Sequence, residues 1–201
     1  MKSRLFSLLA LTLITLSAVP VCAASDSPEA AEVPDWSAYE LADMSEYEFL
    51  EPYEKDFVFY DFTVKDILKE MEEGKQFIVY ASSPKCPWCK STTPILNDVA
   101  AEAGLGVAYL NTRKDPSWES NLDVTDYDLF AEAFEDCLPL DEEDRVHLYT
   151  PHVFFIRDGI ALMDCPGTVS SYEDPDIPMT DEEKEEQKKL YAETAASVFG
   201  S

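Results

Sequence analysis

Two hydrophobic periods alternate along the middle of the chain. Phe57 to Phe62 reads as a short strand. Val64, Ile67, Leu68 and Met71 then recur at helical spacing, behind a capping-box-like Thr63 and Asp66, and Gly74 closes that helix. Phe77 to Ala81, rich in β-branched and aromatic residues, predicts a buried strand. Ile95, Leu96, Val99, Ala100 and Ala103 mark one face of a second helix, with Gly104 as its stop. Val107 to Leu110 is a further short strand. The order strand, helix, strand, helix, strand implies parallel strands joined by crossover helices.

Beyond Asn111 the pattern is less regular and very acidic. Tyr127, Phe130, Ala131, Phe134 and Leu138 outline one helix within residues 125–138, with Cys137 at the edge of its apolar face. Asp141 to Asp144 is a charge run, read as a solvated turn. Val153 to Ile156 and Ile160 to Met163 are two strands, and Arg157-Asp158-Gly159 between them signals a hairpin. Thr180 with Glu183 is a second capping box. It opens a long helix that carries Leu190, Tyr191, Ala195, Val198 and Phe199.

The N-terminal quarter has another character. Residues 1–24 have the plan of a secretory signal: Lys2 and Arg4, an apolar run from Leu5 to Val19, and small-residue cleavage sites around Cys22-Ala23-Ala24. That run is short for a membrane-spanning helix of ~20 residues. An acylated Cys22 is the alternative, although Val19-Pro20-Val21 before it matches the lipoprotein pattern poorly. The expected location is therefore extracytoplasmic, with membrane attachment only through a lipid on Cys22. Residues 25–56 begin as an acidic spacer and then gain Trp36, Tyr39, Tyr47, Phe49 and Tyr53, which argues that part of the stretch docks on a domain spanning 57–201.

Charge narrows the partners. The formal net charge of −26 repels nucleic acid and anionic lipid and favours a basic partner. Six glycines form no phosphate-cradling loop, and five cysteines are few for a fold held by disulfides.

The chemistry lies where the Phe77–Ala81 strand hands over to a helix. Cys86-Pro87-Trp88-Cys89 sits at that junction. Free N–H groups and the dipole at a helix start favour negative charge, which raises the thiolate fraction of the first cysteine. Cys86, with Lys85 beside it, is the expected attacking thiolate. Cys89, one turn deeper, is the expected resolving thiol. Trp88 is placed to cover the sulfurs and offer an apolar contact, and Lys85 and Pro87 are supporting residues. The bland alternatives are an inert structural disulfide or half of a zinc site. Zinc normally takes four ligands, and the remaining candidates, Cys137, Cys165, His147 and His152, are single residues rather than a second paired motif. No metal is expected, and no cofactor beyond the Cys86–Cys89 pair. Cys137 and Cys165 either form a second disulfide that ties the 125–138 helix to the hairpin, or are independent buried thiols. A third option makes them an electron relay to the active pair.

The landmarks resemble the thioredoxin superfamily over about residues 57–199. Lys90 directly follows the second cysteine, Pro94 lies five residues after Cys89, and Thr150-Pro151 precedes a strand. Gly159 and Gly167 follow Pro151 at successive intervals of eight residues, as in thioredoxins. The Cys-Pro-x-Cys after an Ile/Val/Tyr strand looks most like bacterial extracytoplasmic thioredoxin-like proteins known as bacteriocin transport accessory proteins. The resemblance implies an α/β thioredoxin fold, a central mixed sheet flanked by helices, with an acidic helical insertion before the strand that follows Pro151. It also implies a cis Pro151 against the cysteine pair and a Thr150 backbone offered to an extended substrate peptide. Three departures stand out. Tyr80 occupies the place of the buried Asp six residues before the first cysteine, which removes the usual proton acceptor for the second thiol. The dipeptide is Pro-Trp rather than Gly-Pro, and the span from Cys86 to Pro151 is longer.

The sequence therefore leads to the expectation of an exported thiol–disulfide oxidoreductase acting on protein or peptide thiols and disulfides, served by a redox partner protein. The alternative is a non-catalytic thioredoxin-fold accessory module for an exported peptide, with a permanent 86–89 disulfide.

Overall fold

The computed structural model describes residues 32–113 and 124–200. The signal-like segment, Cys22 and the first residues of the acidic stretch lie outside them. Strands β1 (Phe59–Asp61), β2 (Phe77–Ser82), β3 (Val107–Asn111), β4 (His152–Arg157) and β5 (Ile160–Pro166) form a single sheet in the order β1-β3-β2-β4-β5. β1, β3 and β2 run parallel, while β4 is antiparallel to β2 and to β5. Helices α1 (Val64–Glu72), α2 (Pro87–Glu102), α3 (Val124–Ala133) and α4 (Asp181–Phe199) complete the chain. This mixed sheet between helices is the thioredoxin fold.

Alternation along the strands sorts the core into two layers. Ile78 and Tyr80 of β2, Val107 and Tyr109 of β3, and Val153 and Phe155 of β4 face α2 and α4, where they meet Leu96, Val99, Tyr191 and Val198. Phe77, Val79, Ala81, Ala108, Phe154 and Ile156 face the other way, against Val64, Ile67, Phe130 and Phe134. Every residue of β2 is buried, as a central strand covered on both faces requires.

Both capping boxes form. Thr63 N–H donates to Asp66 at 2.9 Å and Thr180 N–H donates to Glu183 at 2.7 Å, and each hydroxyl accepts in return from the backbone of the third helical residue. Each cap contributes about 0.5–2 kcal/mol to its helix. The hairpin turns through Asp158 and Gly159, both at positive φ, as a two-residue loop demands. A Cβ on Gly159 would collide with the Met71 carbonyl, so the turn seats directly on the end of α1. The helix outlined within 125–138 ends earlier than the apolar pattern implied, at Ala133. Turns then carry Phe134 and Leu138 into the core.

Residues 32–56 belong to the same body as the sheet. Residues 40–42 lie antiparallel to the edge of β1, with Ala42 N–H donating to Phe59 O at 2.9 Å and Asp61 N–H donating to Glu40 O at 2.8 Å. At that edge the segment places aromatic rings on both layers. Trp36 stacks on Tyr60 and Tyr39 on Phe62 on one side. Met44 and Tyr47 are buried on the other, with Phe49 packed against them. Tyr39 donates to the buried Glu70 at 2.6 Å. Gly106 has no room for a side chain because the Trp36 indole occupies that space.

Candidate active site

The strand-to-helix junction forms as expected, with Cys86 as the N-cap of α2 and Pro87 as its first residue. Proline suits that position because its missing N–H would have no intrahelical partner. Cys86 is half-buried and Cys89 is fully buried one turn on. Both are free thiols.

The two sulfurs are driven apart in acidity. Cys86 is pulled down to about 6. The largest cause is a hydrogen bond from the Cys89 thiol, helped by the Thr150 side chain and by the backbone N–H groups of Cys89 and Trp88. Those N–H groups belong to the first turn of the helix, where the Cys89 N–H also reaches the Cys86 carbonyl at 3.2 Å, so the helix-terminus argument holds. Lys85 is not among the principal contributors, so local hydrogen bonding carries the effect that the sequence assigned partly to its charge. Cys89 moves the other way. Burial pushes its thiol well above the ordinary range, and the neighbouring Cys86 sulfur adds to the shift.

Thr150-Pro151 is a cis peptide. It brings the Thr150 carbonyl to 3.4 Å from the Cys86 sulfur, which donates to it in the thiol form. Thr150 is half-buried and Pro151 buried beneath it. Trp88 packs edge to face on Tyr172, with ring centroids 5.6 Å apart, and joins the small cluster of Val169, Tyr172 and Met179. It therefore anchors the connection between β5 and α4 beside the site. Lys90 pairs with Glu48 of the N-terminal segment at 3.6 Å.

His152, although it directly follows Pro151, faces the opposite layer. It stacks on Phe154 and bonds Asp164 at 2.7 Å. His147 is exposed beside Tyr149.

Of the alternatives left open for Cys137 and Cys165, the structure has the independent thiols and not the second disulfide. Cys165 lies in the α2/α4 layer, near the Thr194 hydroxyl, and Cys137 packs in the α1/α3 layer near the Ala161 carbonyl. The sheet stands between them. A register shift between β4 and β5 lies at Phe155/Ile156. Ala161 pairs with Ile156 and Cys165 with Val153, on opposite faces, although the two are four residues apart. The sheet thus parts Cys137 from the Cys86–Cys89 pair, whereas Cys165 shares a layer with Cys89.

Two site residues escaped the sequence reading. Ser82, buried at the end of β2, acts on the Cys89 thiol as a hydrogen-bond partner that favours its ionised form. Tyr47, from the N-terminal segment, bonds Ser82 at 2.7 Å. Ser82 could have been suspected from its place four residues before Cys86, but no spacing announces Tyr47. Tyr80, in the place of the missing Asp, spends its hydroxyl on Thr93 at 2.9 Å and Thr92 at 3.2 Å.

The fold and site define a thioredoxin-fold protein with a half-buried low-pKa thiol above a buried one. No protein-family profile matches the chain. Among solved structures it is similar to a candidate oxidoreductase with a thioredoxin fold. That likeness has 17% identity and a TM-score of 0.41, covering 55% of this chain and 83% of the other. It is also similar to thioredoxin from Aeropyrum pernix, at 14% identity and a TM-score of 0.42, covering 68% of this chain and 84% of that one.

Proposed function

We propose that the protein is an exported thiol–disulfide oxidoreductase that exchanges disulfides with protein substrates through Cys86. The observation that carries this reading is the split between the two sulfurs. One is half-buried and held down to about 6, and the other is buried, raised and hydrogen-bonded to it. At neutral pH the first is mostly thiolate, the form that attacks a disulfide. Export rests on the signal-like plan of residues 1–24.

The exchange runs in two displacements. The Cys86 thiolate attacks one sulfur of a substrate disulfide, forming a mixed disulfide and releasing the other substrate sulfur as a thiolate. Cys89 then loses its proton and attacks the Cys86 sulfur. The 86–89 bond forms, and the second substrate thiolate leaves and takes up a proton. The substrate gains two electrons and the cysteine pair loses two; a redox partner returns the pair to the dithiol. The same steps run backward to oxidise a substrate dithiol. Thr150 presents its carbonyl beside Cys86, where an extended peptide would align, and Trp88, packed on Tyr172, supplies an apolar surface next in sequence to the pair.

The test is catalysis of insulin disulfide reduction by dithiothreitol, and of oxidative refolding of a reduced secreted protein, by trace amounts of the purified protein. Turnover that disappears in Cys86→Ser supports the proposal. No turnover in either assay, with peptide binding intact in Cys86→Ser, would replace it with the non-catalytic accessory module.

A further inference from the structure

The exchange just proposed demands something that the buried position of Cys89 makes difficult. Its proton must leave before it can attack the mixed disulfide, yet its side chain has no exposed surface. Tyr80 stands where a carboxylate acceptor would be expected, and its hydroxyl is engaged with Thr92, Thr93 and Ser82. A phenol raised well above its ordinary range by burial is no base at neutral pH.

A different set of groups leads away from Cys89. Ser82 contacts its thiol. The Ser82 hydroxyl lies 2.7 Å from the Tyr47 hydroxyl, which lies 3.1 Å from that of Tyr109. All three residues are buried, so the series is shielded from exchange with bulk water along its length. Tyr109 ends it at a cavity of about 220 Å³ lined also by Asp43, Glu46, Asp61 and Asn111. Asp61 and Glu46 both act on the Tyr109 hydroxyl, which places its outer end in an acidic mouth. Tyr80 of β2, Tyr191 of α4 and Cys86 at the start of α2 also face Cys89, and none of them leads on to the acidic mouth.

We propose that Ser82, Tyr47 and Tyr109 form a hydroxyl relay that carries the Cys89 proton to the acidic mouth during resolution of the mixed disulfide. This rests on the oxidoreductase reading above. Each hydroxyl accepts one proton and passes on its own. The Cys89 proton goes to Ser82 Oγ, the Ser82 proton to Tyr47 Oη and the Tyr47 proton to Tyr109 Oη. The Tyr109 proton passes to water or a carboxylate in the mouth. No hydroxyl needs to remain charged. Afterwards every O–H points inward, with Ser82 donating to the new thiolate. Ser82 touches the reacting sulfur and is a catalytic residue; Tyr47 and Tyr109 act through it. The N-terminal segment would thereby supply a part of the site that the strand-helix junction lacks.

The experiment follows release of thionitrobenzoate from 5,5′-dithiobis(2-nitrobenzoate) by the reduced full chain. Cys86 attack releases the first equivalent and Cys89 resolution the second, so the two steps are read separately. Tyr47→Phe keeps the ring and removes the hydroxyl. It should leave the first phase within about twofold and slow the second by about tenfold or more near neutral pH, a fraction of what positioned proton transfer typically contributes. The pH profile of its second phase should move to higher pH. Tyr109→Phe should do the same, and the double variant should be no slower than either single one, because a relay is cut only once. If Tyr47→Phe fails to fold, Tyr109→Phe alone decides. An unchanged second phase with an unchanged pH profile, or losses that add in the double variant, would overturn the relay. If the unaltered protein shows no second phase, the oxidoreductase reading fails instead.

Discussion

The Cys86 sulfur and the Thr150 carbonyl oxygen stand 3.4 Å apart across a sequence separation of 64 residues. The Thr150 side chain also favours the Cys86 thiolate. One residue on the loop before β4 thus addresses both states of the nucleophile: its carbonyl accepts from the thiol, and its hydroxyl serves the ionised sulfur.

Thr150→Val removes the hydroxyl and keeps the shape. The thiolate loses a partner, so the Cys86 pKa should rise. A less stable thiolate makes the reduced pair less favourable, so the reduction potential should become more negative. One pKa unit is 1.36 kcal/mol, which for two electrons corresponds to about 30 mV. Equilibration against glutathione measures the shift; a potential that is unchanged or more positive would contradict the role given to Thr150.

Alkylation of Cys86 by iodoacetamide should follow a titration near pH 6 rather than near the ordinary value of 9. The same shift fixes a stability trend. Cys86 is depressed in the folded state, so its contribution is fully present above the unfolded value and is lost as pH falls through about 6. The reduced protein should therefore gain stability between about pH 6 and 9 relative to Cys86→Ala. Urea midpoints across that window test it, and parallel curves for the two proteins would refute it.

Much of the fold was legible because it is written in local periods. The α1 stripe at Val64, Ile67 and Leu68, the two Thr caps and the Asp158-Gly159 turn each depend on residues a few positions apart. The placement of Cys86 at a helix start follows from the same local signals. What could not be read depends on register and on contacts between distant segments. The opposite facing of Ala161 and Cys165 comes from one β4/β5 irregularity that inverts parity. Tyr47 reaches Ser82 because its segment lies along the β1 edge, and no spacing within 32–56 encodes that edge. Trp88 is drawn to Tyr172, a partner far along the chain.

Cys89→Ala should accumulate mixed disulfides on Cys86, since the resolving thiol is gone. It should also raise the Cys86 pKa, because the largest of its stabilising hydrogen bonds disappears. Mass spectrometry of trapped species and the alkylation profile read the two effects independently. Trapping that requires Cys89 instead would reverse the assigned roles.

Cys137 is pushed up to about 11, chiefly by burial, and Cys165 is raised for the same reason. Both should resist alkylation in the native protein near neutral pH. After air oxidation and denaturation both should label as free thiols, while Cys86 and Cys89 are protected. Peptide mapping that found a 137–165 bridge would require the β5 register to be wrong.

The N-terminal segment makes the sharpest structural prediction, because its residues fill the core rather than decorate it. A chain beginning at Phe57 would lose Met44 and Tyr47, each worth about 1.5–3 kcal/mol of burial. It would also uncover Tyr60 and Phe62, on which Trp36 and Tyr39 stack. Glu70 would lose the Tyr39 hydroxyl and keep only Lys69 as its hydrogen-bond donor. These losses are a large part of the 5–15 kcal/mol that typically separates folded from unfolded protein. The edge of β1 would also present the backbone groups now paired with Glu40 and Ala42, an invitation to strand pairing between chains. The truncated protein should unfold at markedly lower urea and self-associate by size-exclusion chromatography. A monomer with the full chain's urea midpoint would show that the sheet is self-sufficient and the segment only a covering.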